Sequence, residues 1–96
     1  MNNQSILIAM MKQHKEVHNN LNRLEELEIN CKTILGTEKD KKNFNKLLKQ
    51  TNKTYFILYK SYKLILNQKI QMPEDFLDIG LDIDKMGEEL SNFKEF

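Results

Sequence analysis

Two histidines one helical turn apart, His14 and His18, are the first residues whose spacing could do chemistry. Imidazoles at i and i+4 leave a helix on one side and can share a metal ion. The stretch reads His-Lys-Glu-Val-His, without the glutamate directly after the first histidine that a zinc-protease helix uses as its base. No further Cys, His or carboxylate spacing completes a ligand set. His14 also falls on an apolar seam described below, so the expectation is a hydrogen-bonded histidine between helices, with no metal and no cofactor.

Asp82 to Gly87 imitates the opening of a calcium loop, with acids at positions one and three and glycine at six. The imitation then stops: position five is Met86, position eight is Glu89, and Phe93 stands at twelve, where a bidentate glutamate belongs. Cys31 has no histidine at a useful local spacing and lies on the apolar side of its segment, which makes it a small core residue rather than a nucleophile. There is no glycine-rich phosphate loop and no Gly-x-Ser-x-Gly elbow. These absences point away from an enzyme.

Binding has more behind it. Lys60 and Lys63 are interleaved with Tyr55, Tyr59 and Tyr62, a pattern by which lysines meet phosphates while rings stack on bases. Against nucleic acid stand a single arginine, Arg23, and an acidic C-terminal third that would compete for the lysines. Nucleic acid is therefore the second reading, and another protein the first.

The element that must position these residues runs from Asp40 to Gln71. Phe44, Leu48, Thr51, Tyr55, Leu58, Tyr62 and Ile65 follow one another at alternating steps of four and three, the seam of a helix lying along another helix. Tyr55-Phe56-Ile57-Leu58-Tyr59 points in every direction, because successive residues turn by about 100°. One partner helix cannot cover such a stretch, which calls for a third helix or a second subunit. Thr54 to Tyr62 is also rich in strand-favouring side chains, but the apolar spacing continues on both sides with no Gly or Pro to bound a strand.

Upstream, Leu7, Met10, His14, Val17, Leu21 and Leu24 step by three and four, and the seam resumes with an offset at Leu27, Cys31 and Ile34. Gly36 stands where a left-handed cap would close this helix, and Thr37 followed by Asp40 reads as a helix start with a carboxylate at the third position. So short a connection makes an antiparallel hairpin. Downstream, Pro73 stops the second helix and starts a third. Phe76, Ile79, Ile83, Met86, Leu90 and Phe93 carry its seam. A strand competes here: Leu77, Ile79, Leu81 and Ile83 alternate with Asp78, Gly80, Asp82 and Asp84. Gly80 and Gly87 also weaken a helix by about 1 kcal/mol each relative to alanine.

Charge is uneven. Between Glu38 and Lys69 lie nine lysines against Glu38 and Asp40, and from Ile70 onward eight acids against Lys85 and Lys94, behind a formal net charge of only +1. The plain expectation is that the acidic segment folds against the basic arm, or beside it in a neighbouring subunit. A docking surface that steers an oppositely charged protein is the functional one.

With 96 residues, three glycines and one proline, a single domain of a few long elements is expected. One cysteine suits a reducing cytoplasm. The apolar stretch from Ile6 to Met11 lacks a preceding positive charge and is too short for a signal-peptide core, and no run approaches the ~20 residues of a membrane span. The sequence thus predicts an all-α domain over residues 1–96. A long antiparallel hairpin of helices 5–35 and 38–71 is followed by a shorter helix 73–93, and self-association into a dimeric helical bundle completes it. It would act as a cytoplasmic, non-enzymatic protein-binding module of the adaptor, inhibitor or assembly or secretion chaperone kind. Tyr55, Tyr59, Tyr62, Lys60, Lys63, Asp78 and Asp82 would meet the partner, with no membrane involved.

Overall fold

A computed structural model of the chain describes the backbone of residues 3–33, 36–67 and 74–96, with side chains at all of these except 3–4 and 74–77. It contains three helices: α1 (Asn3–Lys32), α2 (Glu38–Asn67) and α3 (Glu74–Asn92). No strand occurs among the described residues, so the alternation around Leu81 belongs to a helix. The expected ends at 35, 71 and 73 lie outside the described residues.

The turn between α1 and α2 is built from local bonds. Thr37 is the N-cap of α2: its N–H and Oγ1 both donate to the Asp40 carboxylate (3.1 and 2.9 Å). The Asp40 N–H donates back to Thr37 Oγ1 at 3.2 Å, a reciprocal pair that satisfies donors left over at a helix start. These bonds hold the Asp40 carboxyl below the usual aspartate range. Gly36 departs from expectation. Its backbone is not left-handed; it is glycine because a Cβ would lie 2.6 Å from the Cys31 carbonyl oxygen and 2.8 Å from that of Asn30.

The seams converge on one core. Met10, Val17, Leu21, Leu24 and Cys31 of α1 meet Phe44, Leu48, Leu58 and Ile65 of α2 and Ile83, Met86 and Leu90 of α3. Thr51 sits among them fully buried, its hydroxyl satisfied by donating to the Leu47 carbonyl at 2.7 Å. Phe44 is packed edge-on by Phe93 and Phe96, with ring centroids at 6.1 and 4.9 Å. Asn45 fastens the last residue to α2: its side-chain amide donates to the Phe96 carbonyl at 3.1 Å and accepts from the Phe96 N–H at 2.8 Å.

The two α3 glycines, expected to weaken the helix, admit α2. An alanine Cβ at Gly80 would fall on the Tyr62 ring, 2.5 Å from Cζ, and one at Gly87 would press on the Tyr55 hydroxyl and lie 3.0 Å from its Cζ. Tyr55 and Tyr62 are seven residues apart on α2, and Gly80 and Gly87 seven apart on α3. Two rings on one helix therefore fill two notches on the other, where a Cβ would meet their tips.

The bundle is elongated, 52 × 22 × 16 Å, with a radius of gyration of 15.5 Å; a compact chain of this length gives about 12.5 Å. Its accessible surface is 7139 Å², against about 5,800 Å² for a compact monomer of its mass. No helix of the described residues is long and apolar enough to cross a membrane.

Candidate partner-binding surface

The structure divides the expected binding residues into two groups. Tyr55 and Tyr62 are half-buried between α2 and α3, so the rings expected to meet a partner meet α3 of the same chain. Leu58 is fully buried. The third helix supplies the cover on that flank. Burial first, and the Asp84 carboxylate second, push the Tyr55 phenol above its ordinary pKa. Tyr59 packs against Tyr55 with centroids 6.2 Å apart and carries the Lys63 ammonium over its outer face at 5.4 Å. Lys60 lies 4.5 Å over the exposed ring of Phe56, a cation–π arrangement that half-covers that ring. Asp78 is exposed on α3, while Asp82 turns to α1 and accepts a hydrogen bond from His14 Nε2 at 2.5 Å.

The other chemical candidates resolve into structure. His14 and His18 are parallel rings 6.5 Å apart, with His14 bonded to Asp82 as an interhelical histidine. Among the described residues no three His, Cys, Asp or Glu side chains are placed to hold a metal ion. Cys31 is buried, and burial, then Asp40, raise its thiol pKa, which disfavours the nucleophilic thiolate.

Among the described residues three exposed surfaces bear on binding. First, α2 is not covered all round. Phe56, Ile57 and Leu64 stay 57%, 51% and 51% exposed: of the third helix or second subunit that the stretch calls for, α3 supplies cover on one flank. Ile57, Ser61 and Leu64 line an apolar groove of about 230 Å³ with Ile6 of α1, rimmed by Lys60. Second, from Lys39 to Lys63 every residue at alternating steps of three and four is an exposed lysine except one, Phe56. Steps of three and four return to the same side of a helix, so this is a single basic stripe about 36 Å long, opposite the buried seam. Third, α3 turns outward a mainly acidic face, Asp78, Asp84 and Glu88 with Lys85 among them, around Leu81, itself 66% exposed.

These poles lie side by side on one side of the α2–α3 pair, across a groove that Phe56, Asp84 and Glu88 share. Among the described residues the ion pair joining basic α2 to the acidic segment is Lys49–Glu95, at 3.7 Å. The stripe escaped the sequence reading because lysines were counted as a run rather than placed on a helix; the spacing 39, 42, 46, 49, 53, 60, 63 was the available signal. Comparison with protein-family models, with curated proteins and with solved structures finds no match, so the function is read from these surfaces alone.

Proposed function

We propose that this chain is a non-enzymatic protein-binding module whose partner docks along the open flank of α2. The observation that carries this reading is the pair Ile57 and Leu64, each 51% exposed and sharing a groove with Ile6. Apolar side chains clustered in a concave strip and rimmed by charge are the anatomy of an interface core with its polar border. Lys60 beside the groove orients an oppositely charged partner and contributes to encounter rate more than to affinity. Tyr59 lies on the far side of α2, beside Phe56, and extends the aromatic surface. Adaptors, inhibitors and assembly chaperones work in this way, by occupying or presenting a partner's surface.

The test uses variants that leave the fold alone. Ile57 and Leu64 are surface residues, so Ile57→Asp with Leu64→Asp should change the far-UV circular dichroism and thermal midpoint little. A partner recovered by affinity capture from the native cell on wild-type protein should be lost on this variant and retained on Arg23→Ala, a substitution on the same flank of the bundle but away from the groove. Equal recovery on wild type and the groove variant would reject the reading.

A further inference from the structure

The open stripe of α2 and the outward face of α3 are complementary in charge. One is basic and the other acidic. Each carries one exposed apolar residue, Phe56 among lysines and Leu81 among Asp78, Asp84 and Glu88, with Lys85 the one cation beside them. The stripe is about 36 Å long and α3, with 19 residues, about 28 Å. Phe56 lies one residue beyond Tyr55 and Leu81 one beyond Gly80, so both point away from the α2–α3 contact on the same side of the pair. Between them runs a groove of about 530 Å³ lined by Tyr55, Phe56, Tyr59, Asp84, Gly87 and Glu88.

We infer that this α2–α3 side binds a second copy of the chain, with α2 of each copy lying over α3 of the other to make a four-helix layer. The inference rests on the reading of the chain as a protein-binding module and names one partner. Charge complementarity selects that partner: the same chain carries both poles, at a net charge of only +1, and association cancels both at once. A two-fold arrangement uses each contact twice, because the surface is self-complementary. A polyanion would find the same lysines but would bring its charge against Asp84 and Glu88 across the groove.

The experiment is sedimentation equilibrium with a charge-swap pair. Wild type should show twice the chain mass at low salt, with a dissociation constant that rises as salt screens the contact. Lys60→Glu with Lys63→Glu, and separately Asp84→Lys with Glu88→Lys, should each weaken self-association by about tenfold or more, given two reversed pairs at each of two contacts. Mixing the two variants should restore a dimer containing one copy of each, because each contact is then again between opposite charges. A monomer at every salt and concentration overturns the inference, as does a dimer indifferent to both reversals or a mixture that stays monomeric. So does a wild-type monomer that binds a single-stranded oligonucleotide with steep salt dependence lost in the Lys60→Glu, Lys63→Glu variant, which would make the stripe a phosphate track. Ile57→Asp with Leu64→Asp should leave the dimer intact, so failure of self-association and failure of the groove as a partner site are read separately.

Discussion

Gly87→Ala should destabilise this protein although it replaces glycine by the best helix former. In an exposed helix interior the change gains about 1 kcal/mol. Here the new Cβ presses on the Tyr55 hydroxyl and lies 3.0 Å from Cζ, and the ring has Tyr59 beside it at 6.2 Å. Forcing such a contact costs about 1–3 kcal/mol, so the net effect is a loss of up to about 2 kcal/mol. Tyr55→Phe removes the hydroxyl, and the remaining approach of 3.0 Å is relieved by a shift of a few tenths of an ångström. In that background Gly87→Ala should be neutral or stabilising. The two substitutions should therefore couple by up to about 3 kcal/mol, the strain that Tyr55→Phe relieves, within the range for touching residues. Urea unfolding followed by far-UV circular dichroism at one fixed protein concentration, since association shifts apparent stability, measures all four corners of the cycle. Additive effects, with Gly87→Ala stabilising by the same amount in both backgrounds, would refute the notch.

Other consequences can be checked more briefly. The Tyr55 phenol has a raised folded pKa, so its contribution is intact below about pH 10 and is lost as pH rises through the raised value; the alkaline loss of stability should be shallower in Tyr55→Phe. The Asp40 carboxyl has a lowered folded pKa, so the cap's contribution is present above the ordinary aspartate range and fades as pH falls through the lowered value. Thr37→Ala should cost about 1 kcal/mol at neutral pH and reduce the acid-side slope of a stability-against-pH curve. Cys31, buried with a raised thiol pKa, should react with a thiol reagent only as fast as the protein opens, so the labelling rate should track urea concentration; rapid labelling without denaturant would contradict its burial.

What the sequence made legible was the part governed by periodicity. Steps of three and four picked out Leu24, Leu48, Leu58 and Ile83 as interior, because a helix packed along its length repeats its buried side at that interval. The Thr37–Asp40 pair was legible because a capping box involves near neighbours in the chain. The glycines were not, since Gly80 costs helix stability when α3 is read alone and makes sense only once Tyr62 of another element lies across it. The open flank of α2 was legible only as a need for a third helix or a second subunit. Phe56 and Ile57 look as though they demand burial, whereas Lys60 shields Phe56 from the same helix and Ile57 ends on the rim of a groove. The charge poles were legible as segments, but their placement side by side across one groove depended on how three helices share a core.

The local bonding of the bend at Gly36 and Thr37 also bears on the order of assembly. Among the described residues every bond that closes it joins residues within three or four positions of each other, so the first two helices can find one another while the remainder of the chain is still unfolded. The last helix must then settle onto a hairpin already made, with its glycines sliding under two rings that are waiting for them. It is therefore the piece expected to lift away first under stress, and amide exchange along it should be the fastest of the three.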